Sequence, residues 1–284
     1  MSDYTVQVQD LAKTFFDESR GEVKAVEGVS FACRRGEVFG LLGANGAGKT
    51  TTLRMLSTIL KPTAGSARIM GHDVLTAPES VRRSLGFYSA STALYPRLTG
   101  RETLEFFARI NGYDPERVKR RVEELVQRFG IAEYQNARVE KLSSGMKQKV
   151  SIARTVAHDP PVLIFDEPTV GLDVMNALEM VKVIRAMRDE GKTIIFSSHI
   201  MSEVEKLCDR IAIVHRGKLL ALGTLAELRE TTGHHYLEDV FVQYVTRAEG
   251  VEGAELGVGG ELVGGAAAGV ADAAPGSGAS EDRA

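Results

Sequence analysis

The sequence predicts an α/β protein with a mostly parallel core sheet, and three stretches carry that expectation. Val38-Phe39-Gly40-Leu41-Leu42 is a short apolar run, followed by a glycine-rich turn and then by Leu53, Leu56 and Leu60 at helical spacing. Val162-Leu163-Ile164-Phe165 is a second apolar run, and it ends in Asp166-Glu167-Pro168. Ile195-Phe196 leads into Ser197-Ser198-His199 in the same way. Apolar runs without polar alternation suit strands buried on both faces, the condition of a parallel sheet covered by helices. Each run delivers polar side chains at its C-terminal end, the edge at which such sheets bind ligands.

In chain order, the first of these sites is Gly43-Ala44-Asn45-Gly46-Ala47-Gly48-Lys49-Thr50, which reads G-x-x-x-x-G-K-[ST], a P-loop. Its glycines let the backbone wrap around polyphosphate oxygens. The helix beyond it offers free N–H groups and a partial positive charge, and Thr51 falls in that first turn. Lys49 is expected to reach β- and γ-phosphates and the Thr50 hydroxyl to ligate Mg²⁺. Lys61-Pro62-Thr63-Ala64-Gly65 stops the helix. A glycine-rich turn with an incidental lysine is the plain alternative; strand, loop and helix in that order argue against it.

Further along, Leu104, Phe107 and Ala108, then Val118, Val122, Leu125 and Val126, recur at helical spacing. Met146, Val150, Ala153 and Ala157 mark one face of another helix. At the second strand end, one of Asp166 and Glu167 can hold a metal shell, directly or through water, while its neighbour polarises an attacking water. Two acids before Pro168 could simply close a strand at a turn, but the P-loop already in the chain favours the chemical reading. Between Leu219 and Val245, short helices carrying Leu225, Leu228, Leu237, Val240, Phe241 and Tyr244 are expected. Residues 248–284 are dominated by Gly and Ala without apolar periodicity and are expected to be a disordered tail.

A third motif lies between the P-loop and the paired acids. Leu142-Ser143-Ser144-Gly145-Met146-Lys147-Gln148 resembles the signature loop, consensus LSGGQ, of ATP-binding cassette (ABC) ATPases. Gly171-Leu172-Asp173 resembles that family's D-loop, and His199 its switch histidine. The resemblance covers residues 4 to about 245. It implies an ABC ATPase domain at 4–235 with an N-terminal antiparallel β subdomain and a helical subdomain at about 87–157, followed by a helical extension at 236–247. In that family two cassettes sandwich two ATP molecules. Residues 43 to 51 of one copy would then face Ser143 and Gly145 of a second, with Asp173 near the partner's P-loop. Glu167 and His199 take catalytic roles by this resemblance, with Lys49; Asp166 joins Thr50 at Mg²⁺. An aromatic of the N-terminal sheet stacks on adenine, and the register after Lys13 favours Phe15 over Phe16.

The stretch Leu94-Tyr95-Pro96-Arg97-Leu98-Thr99-Gly100 is similar to ABC-2-type export ATPases, and residues 167–175 resemble the sodium-extrusion branch. This implies an ATP-hydrolysing subunit of an exporter that docks to a separate integral membrane permease, with Tyr95-Pro96-Arg97 as the candidate contact. Two motifs depart from the pattern. Ala90 stands where the Q-loop glutamine belongs, so either coupling is altered or water, Ser89 or Ser91 fills the shell. Ser144 and Met146 replace glycine and glutamine of the signature, harmlessly if Ser144 takes a helical first-turn conformation.

Composition sets bounds on function. A chain of 284 residues with 35 basic and 38 acidic side chains, net charge −3, implies no nucleic-acid partner. Cys33 and Cys208 form no CxxC and read as reduced core residues, and His234-His235 lacks further ligands for a metal. No stretch approaches the length of a membrane span and the N-terminus lacks a signal peptide, so a cytoplasmic, peripheral location through the permease is expected. A soluble ABC protein of translation or DNA maintenance would ordinarily carry two cassettes or a long coiled-coil insertion, and neither is present in the sequence. A small-molecule kinase would not need the signature and His199.

Overall fold

A computed structural model describes residues 3–19 and 21–250, so most of the tail expected at 248–284 lies outside the described residues. The chain begins with two long strands, β1 (Tyr4–Asp17) and β2 (Gly21–Arg34), then β3 (Val38–Leu42) and α1 (Lys49–Leu56). Next come β4 (Ala64–Ile69), β5 (His72–Asp73), α2 (Pro78–Ser84) and β6 (Leu85–Ser89). Three helices follow, α3 (Gly100–Ile110), α4 (Pro115–Arg128) and α5 (Ser144–Thr155). The chain then alternates through β7 (Val162–Asp166), α6 (Val174–Asp189), β8 (Thr193–Ser198), α7 (Met201–Leu207) and β9 (Arg210–His215). It closes with β10 (Lys218–Gly223), α8 (Leu225–Thr232) and α9 (Leu237–Glu249).

The main sheet has six strands in the order β10-β9-β3-β8-β7-β6, and every pair but β10–β9 is parallel. A four-stranded antiparallel sheet, β2-β1-β4-β5, joins the N-terminal hairpin to strands that follow the P-loop helix. The expected architecture is therefore present. Its cause can be read along β7. Val162 and Ile164 enter the core shared with the antiparallel sheet and α1, while Leu163 and Phe165 enter the core shared with the helices. Strand side chains alternate between faces, so a run apolar at every position needs two covered faces. Phe39, Phe165 and Phe196 are fully buried.

Three expectations are corrected. Helix α1 ends at Leu56 rather than running to Leu60. Thr58 turns left-handed (φ 62°), and Ile59 and Leu60 both donate their N–H to the Arg54 carbonyl, so Leu60 meets the same core from a turn. The segment after residue 218 is a strand before it is helical. Arg216 and Gly217 both have positive φ (44° and 78°), the requirement of a tight hairpin turn, and they return the chain antiparallel onto β9. At the C-terminal end, α9 continues to Glu249, into the first residues of the expected tail. The predicted helical positions Leu104, Ala108, Val118, Val122, Leu125 and Val126 are buried in one cluster.

Helix starts follow local chemistry. Thr99 and Thr224 each form a reciprocal capping box with a glutamate three residues on, opening α3 and α8. Asp114, Ser143 and Asp173 cap α4, α5 and α6 through their side chains. Ser144 is the first helical residue of α5, so a serine there costs no strained backbone.

Candidate active site

The C-terminal ends of β3, β7 and β8 lie side by side, because β8 pairs with both other strands. Their polar endings meet there. After β3, the chain wraps through residues 43–48 into α1, and two glycines are required by sterics. A Cβ on Gly43 would lie 2.4 Å from the Val214 carbonyl oxygen, and one on Gly48 (φ 100°) would lie 2.5 Å from that of Ala25. The hairpin turn between β9 and β10 supports the loop, with Gly217 N–H donating to the Ala47 carbonyl at 2.9 Å. Asn45, Gly46, Ala47, Gly48, Lys49, Thr50, Thr51 and Glu167, with Ala25 of β2, line one cavity of about 230 Å³.

Lys49 is buried and its ammonium curls over the loop. It donates to the carbonyls of Gly43 (2.7 Å) and Ala44 (3.1 Å) and lies 3.2 Å from Glu167 Oε1. The Thr50 hydroxyl donates to Asp166 Oδ1 at 3.1 Å. Glu167 has φ 50°, rare for a residue with a side chain, and its amide is held by the Ser197 carbonyl (3.2 Å) and hydroxyl (3.1 Å). His199 Nδ1 lies 3.3 Å from Glu167 Oε1, outside hydrogen-bond geometry. Lys49 and Thr50, at the start of α1, are thus brought together with Asp166, Glu167 and His199 at the ends of β7 and β8.

Ser197 was not singled out by the sequence. It is fully buried, donates to Asp166 Oδ1 at 2.8 Å, and holds the Glu167 amide with the same oxygen. The available signal was a hydroxyl at a strand position next to apolar Phe196, where an unpaired polar group would be costly.

Ser143, Gly145 and Asp173 are not at this cavity. Ser143 accepts from the Met146 amide at 3.3 Å as the cap of α5, and Gly145 faces the Asn176 side chain. Asp173 accepts from Asn176 N (3.0 Å) and Nδ2 (2.5 Å), bonds that hold its carboxyl below the usual range. Phe15 is on a strand, 39% exposed, with the Lys13 ammonium 5.1 Å from its ring centroid. It does not line the P-loop cavity, but it pairs with Val23, two residues along β2 from Ala25 and on the same side. Phe16 is 80% exposed. Ala90 is exposed just past β6, and the flanking Ser89 and Ser91 hydroxyls bond each other at 3.0 Å.

A divalent cation fits this donor set. A threonine hydroxyl and a carboxylate oxygen 3.1 Å apart are hard oxygen ligands. Two protein ligands suffice for Mg²⁺, which keeps water and takes phosphate oxygens for the rest of its shell. Among the described residues no group of three His, Cys, Asp or Glu could hold a metal by itself. Both cysteines are unpaired; Cys33 is a buried core residue, whereas Cys208 is half-buried against the core, and desolvation pushes both thiols above their usual range.

A glycine loop at a helix N-terminus, a lysine over it, and an aspartate–glutamate pair on a neighbouring parallel strand define a P-loop nucleoside triphosphatase. The ABC transporter family profile matches residues 26–170. Over 243 residues the chain is 41% identical to the ABC transporter ATP-binding protein NatA of Bacillus subtilis (strain 168), covering 85% of this chain and 98% of that protein. It is 37% identical over 237 residues to the daunorubicin/doxorubicin resistance ATP-binding protein DrrA of Streptomyces peucetius, covering 83% and 72%. A solved ATP-binding subunit of an ABC transporter superposes with a TM-score of 0.77 at 30% identity, over 85% of this chain and 99% of that one. The chain belongs to the ABC transporter family, as an ATP-hydrolysing, ATP-binding subunit.

Proposed function

We propose that this chain powers an exporter, binding Mg²⁺–ATP on residues 43–51 and hydrolysing it with Glu167. The single observation that carries this reading is the convergence on Glu167 Oε1, which lies 3.2 Å from the Lys49 ammonium and 3.3 Å from the His199 ring. Backbone N–H groups of the loop and the start of α1 hold the β- and γ-phosphates, with Lys49 neutralising their charge. Glu167 accepts a hydrogen bond from the attacking water and orients it in line with the γ-phosphate. His199 donates to the γ-phosphate and fixes the side from which Glu167 approaches. Mg²⁺, when bound, draws charge from the β- and γ-oxygens; Thr50 and Asp166 are the residues that would hold it.

A second copy of the chain supplies Ser143, Gly145 and Asp173, which lie outside this copy's own P-loop cavity. Around them Val170, Val174, Met175 and Leu178 are exposed apolar side chains, a surface suited to burial by a partner. Phe15 is the platform for adenine. The proposed membrane partner is a separate permease, as for other ATP-binding subunits of the family; among the described residues no helix is long and apolar enough to cross a membrane. Tyr95, 53% exposed, meets Phe106 edge-on at 5.8 Å, and Phe106 meets Phe107 at 5.3 Å, an aromatic ledge that supports Tyr95-Pro96-Arg97 as the contact. The ATPase then sits on the cytoplasmic face of the membrane through that permease.

The test is affinity capture of Glu167→Gln protein with ATP from gently solubilised cells of its own source. A stoichiometric polytopic membrane protein is the expected catch, with the subunit running as an ATP-dependent dimer. Capture of soluble partners alone overturns the transporter assignment.

A further inference from the structure

The turn that carries Glu167 is anchored from three directions. From β8, Ser197 holds the Glu167 amide as described. From α7, Glu203 Oε2 accepts from the Thr169 hydroxyl at 2.7 Å and from the Ser198 hydroxyl at 3.2 Å, tying the turn to the strand end before His199. The third anchor is of a different kind. Gln148, one helical turn into α5, donates its side-chain N–H to the Pro168 carbonyl and lines one cavity with the buried Tyr88.

Two chemical facts make this third anchor specific. Pro168 has no N–H, so its carbonyl is the only backbone handle on the residue after Glu167. A primary amide carries N–H donors, so Gln148 can donate to the Pro168 carbonyl; a carboxylate or an alkyl chain could not. Tyr88 pairs with Phe165 across β6–β7 and precedes Ser89 and Ala90. A side chain of the signature helix is therefore bonded to the hydrolytic turn and lines a cavity with the strand end that leads to the Q-loop position.

We propose that Gln148 is a positioning residue for ATP hydrolysis: it sets the place of Glu167 by tying the Pro168 carbonyl to the signature helix, so that movement of α5 reaches the hydrolytic carboxylate. This rests on the reading of Glu167 as the residue that orients the attacking water. Since Ser197 and Glu203 both belong to the β8–α7 segment, Gln148 is the anchor of the three that comes from the helical side of the chain. Where the Q-loop glutamine is replaced by Ala90, this amide offers a second route between the signature helix and the site.

The test compares steady-state ATP hydrolysis, affinity for a fluorescent ATP analogue and the thermal midpoint in wild type, Gln148→Leu, Gln148→Glu, Tyr88→Phe and Glu167→Gln. Loss of one net hydrogen bond to the turn predicts roughly a fivefold fall in kcat for Gln148→Leu and Gln148→Glu, with KM and analogue affinity within about twofold of wild type. Tyr88→Phe leaves the Pro168 bond in place and is expected to lose less, and combined with Gln148→Leu it adds little further. Wild-type kcat in both Gln148 variants, while Glu167→Gln is inactive, overturns the proposal and leaves the role of Glu167 standing. So does a loss in which kcat, analogue affinity and thermal midpoint fall together, for that marks a structural role. Full turnover by Glu167→Gln overturns the reading of Glu167 and the proposal with it.

Discussion

Replacing Ser197 with alanine isolates the contribution of a side chain that touches both acids of the site. Its hydroxyl donates to Asp166 Oδ1 at 2.8 Å and accepts from the Glu167 amide at 3.1 Å. Truncation does not orphan that amide, since the Ser197 carbonyl still accepts from it at 3.2 Å. Nor does it strip Asp166, because the Thr50 hydroxyl still donates to the same oxygen at 3.1 Å. The loss is therefore one hydrogen bond to a charged group, about 2 kcal/mol, plus a void one oxygen wide. Against a total stability of roughly 5–15 kcal/mol the protein stays folded. If the lost bond is one that fixes Asp166 for metal binding, kcat/KM for Mg²⁺–ATP falls about thirtyfold, and the Mg²⁺ concentration for half-maximal activity rises. The assay is ATP hydrolysis across a Mg²⁺ titration, with urea unfolding run on the same preparations. Wild-type kcat/KM with an unchanged Mg²⁺ dependence would refute the reasoning, because the bond would then orient nothing that the reaction uses.

Ala90→Gln is expected to leave turnover and Mg²⁺ dependence within about twofold of wild type, since Ser89 and Ser91 already pair beside that exposed position; a larger gain in turnover would show that the alanine limits coupling. His158 predicts a pH effect on stability. Burial pushes its imidazole below the ordinary value near 6.5, against the pull of the Leu85 carbonyl bonded at 3.2 Å. As pH falls below about 6.5 the unfolded chain takes up the proton first, so stability is full above that value and declines through the interval down to the folded-state value. Urea midpoints at about pH 7.5 and 5.5 should differ less in His158→Gln than in wild type; an equal difference refutes the assignment.

The core sheet and most of the nucleotide site were legible because their signals are local. A run such as Val162-Leu163-Ile164-Phe165 needs two buried faces wherever it sits, and residues at the end of a parallel strand reach the ligand edge without knowledge of their neighbours. What stayed hidden depends on contacts distant in sequence. Ser197 and Gln148 act on residues 31 and 20 positions away, Asp166 and Pro168, and neither spacing follows a secondary-structure period. The strand β10 was missed for a different reason. Its turn uses Arg216 where φ is positive, a residue without the asparagine or aspartate preference that normally marks such turns. Leu60 illustrates the converse: helical spacing placed it correctly in the core but wrongly in the helix, since a turn after Thr58 brings the same side chain to the same cluster.

The arrangement around Lys49 imposes an order on the proposed chemistry. Its ammonium lies on two loop carbonyls and 3.2 Å from Glu167, so the carboxylate that is to hold the attacking water already has a cationic neighbour. A γ-phosphate in the loop carries more negative charge than one carboxylate and competes for the same ammonium. In the proposed mechanism Lys49 turns to the phosphate, and Glu167 would then lose its counter-charge and recover full strength as a hydrogen-bond acceptor for water. The Glu167 backbone meanwhile stays pinned by Ser197, and the turn after it by Gln148 and Glu203, so the carboxylate is released without being displaced. Binding then precedes activation because one lysine serves both groups and cannot serve them equally at once. Two variants are expected to separate the steps: Lys49→Ala loses affinity for a fluorescent ATP analogue, whereas Glu167→Gln keeps that affinity and loses turnover.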